Sequence, residues 1–143
     1  MDIQSLIDSY GPSSETFEVT LPQGEKLEFR TLSDYSELQS LKRRAEGFSK
    51  MVRGVGKAVA TKEYAPYKKM DDETLRHVYF IHYSLKSPKW SQADLLKLAT
   101  KAGWLVELIM TELQIRQNQY TERAVKEHLE TQGEDSGLTN TGS

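Results

Sequence analysis

The sequence predicts a mainly helical α+β fold, in which an N-terminal β-hairpin packs on about four helices and a C-terminal tail is disordered. Three features lead to this prediction: one stretch in which apolar and polar residues alternate, several later stretches with apolar residues at three- and four-residue steps, and a polar end. The chain has 143 residues and no cysteine. This length suits one domain, expected over residues 1–130, that folds without disulfides.

The alternating stretch spans residues 16–31 and contains the turn sequence Pro-Gln-Gly-Glu. The apolar residues of its two arms are Phe17, Val19, Leu27 and Phe29. Because an isolated hairpin is barely stable in water, this apolar face is expected to pack on helices.

Four helices are expected after the hairpin, since apolar residues recur there with helical periodicity. Their approximate ranges are 34–55, 72–86, 91–102 and 104–129. Asp71 and Ser91 are suited to cap the second and third of these helices, and the first is expected to fray or bend near Gly54.

Three further segments have simpler patterns. A short helix is expected over residues 2–9. The stretch 61–70 is expected to be a polar loop, because Pro66 disfavours a helical conformation at the residue before it. The segment 131–143 is expected to be a disordered tail, because it holds too little apolar surface to offset the entropy of ordering it.

The last helix begins with the most apolar segment of the chain, WLVELIM. A helix that is apolar almost all round contacts neighbours on more than one side. It is therefore either a central core helix or a helix that leaves part of its surface for a helix of another chain. The spacing puts Leu105, Ile109 and Leu113 on one face, with Trp104 and Leu108 beside it, but does not say which face is exposed. The candidate partner-binding residues are Trp104, Leu105, Leu108, Ile109 and Leu113.

The second half of this helix is expected to be more exposed, and no sustained heptad repeat is evident in the chain. Its thin apolar stripe consists of Tyr120, Ala124, Val125 and Leu129.

No combination of residues indicates catalysis, and no catalytic, cofactor-binding or metal-binding residue is predicted. The glycines near residue 54 lack the spacing of phosphate-binding loops. His77 and His82 are five residues apart, which does not place two metal ligands on one helix face. The sequence therefore predicts a non-enzymatic protein without a cofactor.

The charge is unevenly distributed along the chain. Residues 42–69 carry nine bases and two acids, whereas the segments on both sides are acidic. One alternative function is thus a small nucleic-acid-binding regulatory protein that uses this basic segment. Nucleic acid is disfavoured as a partner because the whole chain has a pI of about 5.9, and intramolecular acids are the nearer partners.

The chain shows no apolar run of the roughly 20 residues that a membrane span needs. Its first ten residues carry two acids where a secretion signal would carry bases. A cytoplasmic location without membrane contact is therefore expected.

Four segments follow one another in an order shared with one protein family. They are FRTL at 29–32, SLKSP at 84–88, SQADLL at 91–96 and WLVELI at 104–109. Together with the hairpin, over about residues 15–115, they resemble the tail assembly chaperones of long-tailed bacteriophages.

The resemblance implies a small, mainly helical protein that binds the helical tape-measure protein, keeps it soluble and helps tail-tube subunits assemble around it. It also implies action in the host cytoplasm and absence from the mature virion. In many members a ribosomal frameshift near the C-terminus yields a longer product, and the segment 131–143 would suit such a junction. Self-association of the chain is left open.

Overall fold

A computed structural model of the chain describes residues 2–10, 15–32, 35–55 and 61–136. In chain order its elements are α1 (Ile3–Tyr10), β1 (Thr16–Thr20), β2 (Lys26–Arg30), α2 (Tyr35–Arg53), a 3₁₀ helix (Lys62–Tyr67), α3 (Asp72–Ser84), β3 (Leu85–Ser87), α4 (Gln92–Lys101) and α5 (Gly103–Ser136). The predicted fold class, mainly helical with an N-terminal hairpin, is confirmed.

The hairpin forms in the predicted register. β1 and β2 are antiparallel, with Phe17 opposite Phe29 and Val19 opposite Leu27. Gly24 has a positive φ of 98°, which the turn requires and which glycine adopts without strain. Val19, Leu27 and Phe29 are buried against the helices, as expected for an apolar sheet face.

A third strand, β3, pairs antiparallel with β2 and was not predicted. The helix expected over 72–86 ends at Ser84, and Leu85 lies opposite Phe29 in the sheet. Pro88 has no backbone N–H and favours an extended conformation at Ser87, so a helix cannot continue through this segment. Pairing with β2 then satisfies backbone groups that a longer helix would have satisfied internally.

The predicted helix ends are mostly correct. Asp71 caps α3 by accepting a hydrogen bond from the Thr74 backbone N–H, at 3.0 Å. Ser91 and Asp94 form a reciprocal capping box at the start of α4. Gly54 has a φ of 68° and ends α2 with a backbone hydrogen bond that returns to the last turn.

The expectation of a polar loop at 61–70 is wrong, because this stretch contains the 3₁₀ helix. Tyr64, Tyr67 and Met70 are partly buried against the core. The Tyr64 hydroxyl donates to Oε1 of Gln92 at 2.9 Å, and its ring meets the Phe48 ring edge-on at 5.9 Å. Aromatic burial thus orders a segment whose local composition favours a loop.

The core lies between the sheet and helices α2, α3, α4 and α5. On α2 the buried apolar residues are Leu41, Ala45, Phe48 and Val52, and Leu38 is partly buried. On α3 the deepest residues are Leu75, Val78 and Ile81, whereas Tyr79 and His82 are half-buried.

The predicted end of the last helix is also wrong. α5 continues to Ser136, so residues 131–136 are helical rather than part of a disordered tail. The rest of the predicted tail, 137–143, lies outside the described residues.

Candidate interaction site

The inner face of α5 belongs to the core. Val106 and Ile109 are fully buried, and Leu113 is nearly so. Two of the five predicted partner-binding residues, Ile109 and Leu113, are therefore held inside the protein and do not reach a partner. Leu105 lies at the edge of this face and is half-buried against the core.

The opposite face of α5 is apolar and exposed. Trp104 is 63% exposed, Leu108 37% and Ile115 44%. Because an α-helix advances about 100° per residue, these three positions lie in one line along the side that faces away from the core. Single exposed apolar residues are common, but an aligned set that includes a tryptophan marks a candidate contact surface.

Two more exposed apolar residues lie in the second half of α5. Val125 is 53% exposed and Leu129 61%. At about 100° per residue, Leu129 lies close to the line of the first three and Val125 about 80° to one side of Ile115. Tyr120, placed with them in one stripe from sequence, is partly buried and lies on the other side of the helix. We call the exposed set the outer stripe; it consists of Trp104, Leu108, Ile115, Val125 and Leu129. Ile115 was not predicted from the sequence, because the second half of this helix was assigned one apolar stripe. The helix has an inner and an outer set of apolar residues.

A cleft of about 540 Å³ opens beside the start of the outer stripe. Trp104 and Leu105 form one wall, and Pro88 and Trp90 of the β3–α4 connection form another. The turn of the β1–β2 hairpin closes it. The cleft gives an incoming apolar side chain a concave, largely apolar place next to the exposed Trp104.

Two contacts fix the direction in which α5 leaves the rest of the fold. The Gln117 side chain accepts from the Leu32 backbone N–H at 2.9 Å and donates to the Leu32 carbonyl at 2.5 Å. Farther along, an Arg123 guanidinium nitrogen donates to Oε1 of Glu15 at 2.6 Å. The outer stripe is therefore carried on a helix that is anchored at several points along its length.

A histidine of α3 lies close to two carboxylates, one of them on α5. Nδ1 of His77 is 3.3 Å from a Glu107 carboxylate oxygen, and Nε2 is 3.8 Å from a Glu73 oxygen. One turn further along α3, burial lowers the pKa of His82 below its ordinary value. No group of three or more histidines and carboxylates within the described residues is arranged to hold a metal ion.

The basic segment 42–69 is partly neutralised within the chain. Arg53 lies 3.5 Å from an Asp72 carboxylate oxygen, which also accepts from the buried Ser49 hydroxyl. The Arg44 guanidinium stacks 4.9 Å from the centre of the Tyr83 ring. Hydrogen bonds from Ser49 and Arg76 lower the pKa of Asp72 and keep it negatively charged. The prediction that acids of the chain are nearer partners of these bases is supported at Arg53, whereas Arg44 packs on an aromatic ring. Lys57 lies outside the described residues.

Comparison of the chain with protein-family models, with curated proteins and with solved structures gives no match. Within the described part of the chain, no helix combines the length and the apolar character that a membrane span requires. Functional inference therefore depends on the outer stripe, on the cleft beside it and on the sequence resemblance.

Proposed function

We propose that this chain is a non-enzymatic binding protein whose outer stripe takes up an apolar helical segment of a partner. The observation that carries the proposal is the alignment of Trp104, Leu108 and Ile115 on the exposed side of a helix whose other side is core. A helical partner with apolar residues at three- and four-residue steps matches such a line.

The particular function that we propose is that of a phage tail assembly chaperone. In this role the chain binds the tape-measure protein in the host cytoplasm, keeps it soluble, helps tail-tube subunits assemble around it and leaves before the virion is complete. The resemblance over residues 15–115 supports this proposal. The segment WLVELI, which carries part of that resemblance, also supplies the exposed Trp104 and Leu108.

The candidate residues divide into two roles in this proposal. Trp104 and Leu108 contact the partner directly, and Leu105 contributes from the wall of the cleft. Ile109 and Leu113 hold the helix against the core and act only by keeping the exposed side chains in place. A tryptophan on a rigid helix is a suitable anchor, because it buries a large area while losing little conformational freedom.

The test is co-expression with the partner. The partner to test is a long coiled-coil protein encoded near a tail-tube gene in the source genome. We expect such a protein to be soluble only together with this chain. Substituting Trp104→Glu and Leu108→Glu should return the partner to the insoluble fraction, because both changes place charge in an apolar contact.

Arg116→Glu is the matched control, since it adds a negative charge to an exposed position of α5 outside the outer stripe. The proposal is wrong if the partner is equally soluble without this chain. It is also wrong if the doubly substituted chain remains folded and still forms the complex.

A further inference from the structure

The five residues of the outer stripe fit a heptad spacing in which polar residues occupy the other three positions, so the sequence shows no sustained heptad repeat. Starting at residue 104, alternating steps of four and three residues reach eight positions, and we call them the α5 seam. Its members are Trp104, Leu108, Thr111, Ile115, Asn118, Glu122, Val125 and Leu129. Two helices with this spacing pack by inserting the side chains of one seam between those of the other.

We propose that the α5 seam binds the α5 seam of a second copy of this chain in antiparallel orientation. One register places Trp104 opposite Leu129 of the second copy and Leu108 opposite Val125 of the second copy. Because the pairing is two-fold symmetric, the same apolar pairs form at both ends of the interface. The seam is thus complementary to itself.

The middle of the seam is compatible with the same register. Thr111 lies opposite Glu122 of the second copy, where a hydroxyl can donate to the carboxylate. Ile115 lies opposite Asn118 of the second copy, close to the symmetry axis. A polar residue at one seam position favours a single register at some cost in stability.

The charges favour the antiparallel over the parallel orientation. A parallel, in-register pair would place the two Glu122 side chains opposite each other inside the seam. It would also bring Glu107 beside Glu112 of the second copy along the edge, and like charges there repel. In the antiparallel register Glu112 instead faces the neutral Gln119 of the second copy.

The position of the seam leaves room for the second copy. The core of each chain packs on the inner face of its own α5, so the two cores would lie on opposite outer sides of the helix pair. The overlapping span, residues 104–129, is about 39 Å long at roughly 1.5 Å per residue. The pairing would cover the part of α5 near Val125 and Leu129, which is exposed in the single chain.

This inference concerns the chain by itself and does not rest on the proposed function. The two are linked because Trp104 and Leu108 serve in both. A helical client and a second copy would therefore compete for the same surface, and the client would convert the dimer into a one-to-one complex.

The first test is sedimentation equilibrium of the purified full chain over a wide range of concentration. We expect the average mass to rise reversibly from 16.3 kDa toward twice that value. Val125→Glu combined with Leu129→Glu should weaken the association at least about tenfold, since each change occurs twice in a symmetric interface. Arg116→Glu, off the seam, should leave it unchanged. A chain that stays monomeric at every concentration, or a dimer that the double substitution does not weaken, overturns the proposal.

The second test determines the orientation and uses the absence of native cysteines. Leu108→Cys and Val125→Cys chains are prepared separately and oxidised alone and as a mixture. The antiparallel register predicts a disulfide-linked dimer in the mixture and none in either chain alone. Cross-linking of each chain with itself would indicate the parallel orientation, and no cross-link in any sample would indicate another occupant of the seam; both results overturn the proposal.

Discussion

The two halves of α5 belong to one continuous helix but are stabilised in different ways. In the first half Val106 and Ile109 are fully buried, so tertiary packing holds the helix in place. In the second half Val125 and Leu129 are exposed, and an Arg123 guanidinium nitrogen donates to the carboxylate of Glu15, just before β1. Both halves are helical, but tertiary packing stabilises the first half more than the second.

The difference shows how one helix combines a structural and a binding role. Most helical stability in proteins comes from tertiary packing of one face, so the buried half supplies stability on which the exposed half depends. The outer stripe runs along both halves, and packing of the first half against the core holds it in place. Substitutions in the two halves should therefore change the free energy of unfolding by different amounts.

The largest expected effect is the loss of a core contact in the first half. Ile109→Ala should lower the free energy of unfolding by about 2–5 kcal/mol, because it removes buried methyl groups and leaves a cavity. Val125→Ala in the second half is the matched control and should change it by no more than about 0.5 kcal/mol. Urea denaturation of dilute protein measures both values, and equal effects would show that the two halves are stabilised alike.

A smaller effect is expected at the boundary between the halves. Gln117→Ala leaves the partly buried N–H and carbonyl of Leu32 without their side-chain partner, which should cost about 1–2 kcal/mol. Asn118→Ala, at the exposed neighbouring position, should have almost no effect on the monomer. The same denaturation experiment compares the two variants. If both were neutral, Gln117 would not anchor the helix.

Acid should weaken the core through His82. Burial lowers the pKa of His82, so the folded state favours the neutral imidazole. The resulting stability is present above the ordinary pKa of 6.5 and is lost as the pH falls through the lower value of the folded state. Denaturation at pH about 7 and about 5 should show this loss, and His82→Gln should reduce it. A pH dependence that His82→Gln leaves unchanged would assign it to other groups.

The smallest effect is expected for the binding of nucleic acid. This measurement tests whether the basic segment 42–69, rather than α5, is the binding site. At ~150 mM salt, DNA or RNA should bind no more tightly than about 10⁻⁴ to 10⁻⁶ M, measured by fluorescence anisotropy. A tighter complex that weakens when Lys42, Arg43 and Arg44 are neutralised would favour the regulatory function instead.

The sequence predicted the elements that depend on contacts between residues close together in the chain. The hairpin follows from strict alternation around a Pro-Gly turn, and the ends of α3 and α4 follow from Asp71 and Ser91, because these residues bond to neighbours three positions away. The 3₁₀ helix was missed because burial of Tyr64 and Tyr67 depends on residues far along the chain. β3 was missed for the same reason, since its partner strand lies more than fifty residues earlier.

For the candidate site, the sequence by itself determined the relative angles of the side chains on α5. The spacing alone puts Ile109 and Leu113 on one face and Trp104 and Leu108 on another, because helical geometry is the same in any surroundings. Only the tertiary structure decided that the first pair is buried and the second exposed. The physical reason is that all four are apolar and equally suited to a core, so the face that turns inward is the one against which α3, α4 and β1 pack.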